Sequence, residues 1–177
     1  MKTKKIIFAG GPGTGKTSVL KALKKEGYCC FEEVSRQVTL AAKQQGITQL
    51  FLKDPLLFSQ KLLEGRIEQF KKAEEIQTEF CFYDRGIPEV SAYMEYKSED
   101  IPDTFKKAQQ TYRYDLLFYF PIWDEIYISD NERYESLSEA KIIDTYIRKT
   151  YINLGYSLIE VPKTNLKNRK EFIFEHL

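Results

Sequence analysis

Residues 10–17 of this chain read Gly-Gly-Pro-Gly-Thr-Gly-Lys-Thr. The stretch satisfies the pattern G-x-x-x-x-G-K-[ST]; it follows an apolar run at residues 6–9 and precedes helix-forming residues at 17–25. Glycines permit backbone conformations in which successive N–H groups converge on phosphate oxygens, and the N-terminus of the following helix adds positive potential. The sequence therefore predicts a strand, a phosphate-binding loop and a helix, in that order.

Two side chains of this loop suit the chemistry of a nucleotide bound with magnesium. Lys16 supplies a mobile cation for the β- and γ-phosphates, and the Thr17 hydroxyl is an oxygen ligand for Mg²⁺. We expect ATP and Mg²⁺ as cofactors. The alternative, a glycine-rich turn with a solvated lysine, does not explain why the pattern and both flanking elements agree. The residues predicted to bind the nucleotide are Gly11, Pro12, Gly13, Thr14, Gly15, Lys16, Thr17 and Ser18.

Length and composition narrow the class of protein. The 177 residues suit one domain over residues 1–177, and 42% hydrophobic residues suffice for a core. The formal charge of +1 gives no general field for nucleic acid, and no apolar run is long enough for membrane insertion. Three cysteines without metal-ligand spacing favour a reduced protein in the cytoplasm. The only histidine, His176, is the penultimate residue, which argues against histidine-based catalysis or metal binding.

The pattern of apolar runs predicts the fold class. Short apolar segments without alternation indicate strands covered on both faces, and amphipathic segments lie between most of them. Together with the loop at 10–17, this pattern predicts a P-loop NTPase domain with three α/β/α layers and a five-stranded parallel sheet. The predicted strands are 6–9, 28–31, 80–83, 116–120 and 156–161, and the predicted helices are 17–25, 33–45, 55–77 and 136–154.

Asp84 and Arg85 follow the predicted strand at 80–83. In a doubly wound sheet, ligands collect beyond the carboxyl ends of the strands, so these side chains should face the bound phosphates. Asp84 is a candidate magnesium ligand or proton acceptor, and Arg85 a candidate for neutralising phosphate charge. The alternative is a surface ion pair. Asp115 precedes its strand, at the opposite end of the sheet, and is predicted to be structural.

Phosphoryl transfer needs further cations and an acceptor site. The polar segment at about 123–136 is the predicted lid, and Arg133 within it is the predicted lid arginine. Glu33 and Arg36 follow the second strand and are candidates for the acceptor site. An exposed helix face with a local ion pair explains Glu33 and Arg36 as well.

Several strings together resemble the AAA-type ATPase family of the NadR/Ttd14-like kind, which is related to small-molecule kinases. These are the loop at 10–17, Glu-Glu-Val-Ser-Arg at 32–36, Tyr-Asp-Arg-Gly at 83–86 and Ile-Tyr-Ile-Ser-Asp-Asn-Glu-Arg-Tyr at 126–134. The resemblance implies a fold of the nucleoside or nucleotide kinase kind, with phosphate and magnesium roles for Lys16 and Thr17. It implies an acidic strand-end motif at Asp84-Arg85, and Glu33 and Arg36 match its acidic and basic pair after the second strand. It also implies a lid role for Arg133.

Two functions are compatible with these observations. The first is transfer of the ATP terminal phosphate to a small-molecule acceptor such as a nucleoside, a nucleotide or a related metabolite. The second is a regulatory ATPase switch that acts on a protein or lipid partner. Neither the acceptor, the base preference nor the oligomeric state follows from the sequence.

Overall fold

A computed structural model of the chain describes residues 3–127 and 135–177. Its centre is a five-stranded sheet in which β1–β5 are all parallel, in the order β2-β3-β1-β4-β5. The strands are β1 (Lys4–Ala9), β2 (Cys29–Phe31), β3 (Phe80–Asp84), β4 (Leu116–Tyr119) and β5 (Ile159–Glu160). The α-helices are α1 (Lys16–Lys25), α2 (Val34–Gln44), α3 (Leu50–Lys53), α4 (Pro55–Glu75), α5 (Ile87–Tyr96), α6 (Asp103–Thr111), α7 (Leu137–Asn153) and α8 (Leu166–Glu175). A short 3₁₀ turn covers Asp124–Ile126.

Alternate residues of the strands face two separate cores, as a sheet covered on both sides requires. On one side Ile7 of β1 packs with side chains from α4, α5 and α7. On the other, Phe8 packs with side chains from α1 and α8. The α/β fold with a parallel five-stranded sheet is therefore confirmed, and β1 and β3 lie side by side at its centre.

Capping residues fix the ends of the long helices where the sequence predicted them. The Asp54 side chain accepts a hydrogen bond from Leu57 N–H at the start of α4, and Ser136 and Glu139 form a capping box on α7. Helices α3, α5, α6 and α8 are additions to the predicted elements. Helix α5 is buried on most of its faces, from Ile87 through Met94, so it lacks the one-sided apolar stripe that identifies a surface helix. No helix in the two described segments has the length and apolar character needed to cross a membrane.

The turn after β1 requires glycine. Gly10 has φ of +131°, and a Cβ built on it would lie 2.3 Å from the backbone oxygen of Phe120. Gly27, with φ of +91°, has open space around a Cβ. We expect Gly10→Ala to destabilise the fold by about 3 kcal/mol and Gly27→Ala by about 1 kcal/mol, since only Gly10→Ala adds a backbone clash to the conformational strain. Thermal melts of both variants check this, and equal Tm losses would contradict it.

Candidate active site

The loop between β1 and α1 occupies the carboxyl end of the sheet. Gly13 and Gly15 have φ of +75° and +86°, values that disfavour any residue with a side chain. The aromatic ring of Tyr127 lies 2.5 Å from where a Cβ on Gly13 would stand. Side chains at these glycines would displace both the loop and its neighbours, so the predicted glycine pattern has a steric cause.

The ammonium of Lys16 lies inside the loop. Its Nζ donates to the carbonyl oxygens of Gly10 and Gly11 at 2.9 and 2.6 Å and to Thr14 Oγ1 at 3.1 Å. The residue is 4% exposed. Burial and the nearby Arg85 guanidinium lower the pKa of Lys16 to about 8. The Lys16 ammonium can therefore exchange its hydrogen bonds to the loop oxygens for hydrogen bonds to phosphate oxygens.

This lowered pKa predicts a pH dependence of nucleotide binding. Lys16 is mostly protonated at pH 7.5 and mostly neutral at pH 9, and a triphosphate binds the protonated form better. The affinity for ATP should fall by about eightfold between these two values of pH. Calorimetric titration with ATP checks this. In Lys16→Arg the guanidinium stays charged at both values of pH, so the ATP affinity of this variant should differ by less than about twofold between pH 7.5 and pH 9. An ATP affinity of the wild-type protein that is equal at both values of pH would contradict the prediction.

Thr17 and Asp84 meet across the junction of β1 and β3. Thr17 Oγ1 donates to Asp84 Oδ2 at 2.5 Å, and Asp84 is 2% exposed. Burial, reinforced by the charge of Glu33, raises the pKa of Asp84. The second oxygen, Oδ1, is buried and has no hydrogen-bond partner among the described residues. A hydroxyl and a carboxylate oxygen without a partner fit the oxygen ligands that Mg²⁺ takes, alongside phosphates and water.

Arg85 connects the loop to the helices beside it. Its backbone is left-handed, with φ of 70°. Its Nε lies 2.9 Å from Glu33 Oε1, and its Nη1 lies 2.6 Å from Glu89 Oε2 and 3.4 Å from Gly10 O. Although burial disfavours the charged guanidinium, the neighbouring Tyr93, Glu33 and Glu89 raise the pKa of Arg85 well above its ordinary value. Arg85 is therefore a fixed positive charge rather than a mobile surface group.

Glu33 is held in the ionised state by this guanidinium. Burial favours the neutral acid, but Arg85 and the Ser35 hydroxyl outweigh it and lower the pKa of Glu33 to about 2. Ser35 Oγ donates to Glu33 Oε1 at 2.7 Å. The side chain is 19% exposed, more than that of either Arg85 or Glu89. The predicted acceptor-site carboxylate and the predicted strand-end arginine therefore form one ion pair.

Several buried or half-buried polar side chains of this region were not among the predicted site residues. Arg66 of α4 donates to the carbonyl of Gly86 at 2.5 Å, and Tyr151 of α7 donates to Glu89 at 3.3 Å. Asp144 of α7 accepts from the Gly11 N–H at 2.8 Å. Arg66 and Asp144 stand on amphipathic helices whose charged residues normally face solvent, and Tyr151 lies on an apolar stripe typical of core residues. Only their positions in the fold distinguish them.

Helix α8 also contacts the phosphate-binding loop. Arg169 of α8 donates from Nη1 to the Thr14 carbonyl at 2.9 Å, and its guanidinium lies 4.9 Å from the centroid of the Trp123 ring. This contact gives Trp123, at the start of the predicted lid, a packing partner within the protein. Helix α8 had no place among the predicted elements, so Arg169 could not be assigned from the sequence.

Arg36 and Arg133 are the remaining predicted site residues, and Asp115 is the aspartate predicted to be structural. Arg36 is exposed in the first turns of α2. Arg133 falls in residues 128–134, outside the described residues, so its lid role stays a prediction. Asp115 accepts a hydrogen bond from Lys5 N–H at 2.8 Å at the opposite end of the sheet, in a structural role. Within residues 3–127 and 135–177, no three histidine, cysteine or acidic side chains gather as a metal site.

Comparisons with known proteins identify the family. The model of a family of AAA domains matches residues 5–169, and the chain belongs to that AAA-type P-loop family. No functionally curated protein matches the sequence.

Solved structures of kinases share the fold. Deoxyadenosine kinase from M. mycoides, solved with dCMP and dCDP, superposes with a TM-score of 0.71 at 17% identity, over 97% of each chain. Thymidylate kinase from Candida albicans gives 0.66 at 14% identity, over 99% of this chain and 91% of its own. The NadR protein, solved with NAD and AMP-PNP, gives 0.69 at 15% identity, over 98% of this chain and 49% of its own. The chain therefore has the P-loop kinase fold.

Proposed function

We propose that this member of the AAA domain family transfers the terminal phosphoryl group of ATP to a small-molecule acceptor in a magnesium-dependent reaction. One observation carries the proposal: the loop lysine, the Thr17–Asp84 pair and the Arg85 guanidinium meet at the carboxyl ends of the adjacent strands β1 and β3. This is the edge of an α/β sheet where ligands bind. Phosphoryl transfer requires fixed positive charge around a phosphate at such a place.

The site residues would have separate roles toward the ATP phosphates and toward the transferred phosphoryl group. Within the predicted nucleotide-binding stretch Gly11 to Ser18, the backbone N–H groups from Gly13 onward and the Lys16 ammonium would bind the ATP phosphates. Thr17 and Asp84 would hold Mg²⁺, which supplies neutralisation of the developing phosphate charge when bound. Arg85 would stabilise the transferred group, with Arg133 closing from the lid. Since ATP and reduced thiols are found together in the cytoplasm, we propose that location as well.

The structural neighbours support transfer over hydrolysis alone. Two are named as kinases of nucleosides or nucleotides, and one was solved with an ATP analogue. The buried Arg85–Glu33 pair lies beside the loop and outside the span predicted to bind ATP. A carboxylate at that place has no evident use in binding the donor, whereas it can interact with a second substrate.

The test measures ATP consumption with Mg²⁺, in the absence and presence of a panel of metabolites. A kinase consumes little ATP alone, and one class of acceptor increases the rate and yields a phosphorylated product detectable by mass spectrometry. Hydrolysis that no acceptor changes, but that a protein or lipid modulates, would instead identify the regulatory ATPase. Consumption that is unaffected by chelating Mg²⁺ would contradict the assigned roles of Thr17 and Asp84.

A further inference from the structure

Two of the three cysteines face each other across neighbouring strands at one edge of the sheet. Cys29 of β2 and Cys81 of β3 are paired in the parallel register, and β2 is the edge strand. The Cys81 thiol donates a hydrogen bond to Cys29 Sγ at 2.6 Å. Paired residues of neighbouring strands have Cα atoms about 4.8 Å apart, within the range of about 4.4–6.8 Å that a disulfide bond spans. The strand register therefore places these two cysteines where their sulfurs can be joined.

The third cysteine, Cys30, lies on the other face of the sheet. Successive residues of a strand point to opposite faces. Cys29 packs against the core that contains Ile7, whereas Cys30 packs against the core that contains Phe8. Burial raises the pKa of Cys30 to about 12, so this thiol stays protonated and reacts slowly with oxidants. Cys30 is therefore a neighbouring thiol that the pairing with Cys81 leaves out.

The two paired sulfurs differ in access. Cys29 is half-buried on the edge strand, whereas Cys81 is fully buried on the next strand. Burial and the hydrogen bond to Cys29 raise the pKa of Cys81, so Cys81 keeps its proton and presents it to Cys29 Sγ. A small solute reaches Cys29 first. A partly exposed sulfur beside a second, protected thiol is the arrangement of an attacking and a resolving cysteine.

We propose that Cys29 and Cys81 are a site of reversible oxidation by hydrogen peroxide, which joins β2 to β3 through a disulfide bond. The thiolate of Cys29 attacks one peroxide oxygen and the O–O bond breaks. The departing hydroxide takes up the proton that Cys29 released, which leaves a sulfenic acid on Cys29 and one water. Cys81 Sγ then attacks Cys29 Sγ, the S–O bond breaks, and the Cys81 proton leaves with the hydroxide as a second water. The two sulfurs lose two electrons, and one peroxide is reduced to two waters.

The bond would restrain the strand that leads into the candidate active site. Strand β2 has three residues and pairs on one side only, with β3. Glu33 follows β2 closely, and Asp84 is the last residue of β3. A bond between residues 52 apart in the sequence also removes conformational freedom from the unfolded chain. The oxidised protein should therefore unfold at a Tm about 5 °C or more above that of the reduced protein.

The first experiment follows the thiols of the wild-type protein. The protein is reduced with dithiothreitol, freed of the reductant and treated with hydrogen peroxide, and thiols are counted after denaturation. We expect the count to fall from three to one and to return to three when dithiothreitol is added again. A count that stays at three, or a loss that dithiothreitol does not reverse, would overturn the proposal.

Peptide mapping of the oxidised protein identifies the partners. Trypsin releases residues 26–36, which contain Cys29 and Cys30, and residues 73–85, which contain Cys81. Without reduction these two peptides should be recovered as one linked species from a single chain. Separate peptides that carry added oxygen on cysteine, or a disulfide between two chains, would contradict the proposal.

Serine variants determine which of the adjacent cysteines takes part, because both lie in the same tryptic peptide. Cys30→Ser should form the linked species to the wild-type extent, and Cys29→Ser should form none. Thermal melts provide a second readout: peroxide should raise the Tm of Cys30→Ser as it does in the wild-type protein and should not raise the Tm of Cys29→Ser. Linkage that persists in Cys29→Ser would assign the bond to Cys30 and refute the pairing. An oxidised wild-type protein with an unchanged or lower Tm would show that the native strands do not accommodate the bond.

Discussion

Lys16→Met should lower kcat for ATP-dependent transfer by about 10³-fold, the loss expected when a preorganised charge at the reacting phosphate is removed. The ammonium is the group inside the loop that can exchange its three oxygen partners for phosphate oxygens. Methionine retains the length of the side chain and tolerates the buried site, so the effect should fall on chemistry rather than on folding. Steady-state assays of ADP formation, together with the Tm of each variant, give the measurement.

Lys21→Met is the matched control for this change, because Lys21 lies exposed on the same helix α1. Its kcat should remain within about twofold of wild type. If Lys16→Met retained full turnover at saturating ATP, the loop would be a structural turn and the kinase proposal would fail. If Lys16→Met lost activity together with its fold, the circular dichroism of the variant would show it.

Asp84→Asn should lower kcat by about 10² to 10³-fold and raise the magnesium concentration needed for half-maximal rate. The amide has the shape of the carboxylate and can still accept the Thr17 hydrogen bond, but it lacks the charge that holds a divalent cation. Because burial raises the pKa of Asp84, removal of its charge should leave the stability unchanged or slightly increased. Rate measurements across a magnesium titration, with a parallel thermal melt, test both statements.

Asp115→Asn makes the same chemical change at the opposite end of the sheet. Asp115 accepts a hydrogen bond from the Lys5 backbone, which an asparagine oxygen can also accept. The magnesium dependence of this variant should equal that of wild type. An equal loss of activity in both variants would indicate a general effect on the sheet and would contradict the specific role given to Asp84.

The sequence predicted the fold and the donor loop because both depend on local patterns. Apolar runs at 80–83 and 116–120 became the buried strands β3 and β4, and the glycine pattern at 10–17 became the loop. Helix α5 lacked a one-sided stripe because it is buried on most faces. The order β2-β3-β1-β4-β5 places Asp84 beside the loop, and this adjacency was predicted from the rule for ligand sites in α/β sheets rather than from any residue contact.

The partners of the site residues could not be predicted in the same way. Helices α2, α3 and α4 and strand β3 lie between Glu33 and Arg85 in the sequence. Glu89, Arg66 and Tyr151 lie on three different helices. A charged residue on an amphipathic helix has the same sequence signature whether it faces solvent or a buried partner. Which of the two occurs is determined by how the helices pack on the sheet.

By itself, therefore, the sequence determined the α/β class and the phosphate-binding loop, and it predicted ATP and magnesium as the ligands to be tested. These follow from glycine conformation, apolar periodicity and the spacing of Lys16 and Thr17, all of which act over a few residues. Only the tertiary structure decided that Glu33 and Glu89 share Arg85, and that Glu33 is the partly exposed carboxylate of the two. The physical reason is that burial and ion pairing depend on distances between helices and strands that are far apart in the sequence. Those distances are set by how the elements pack together, and short stretches of sequence do not encode them.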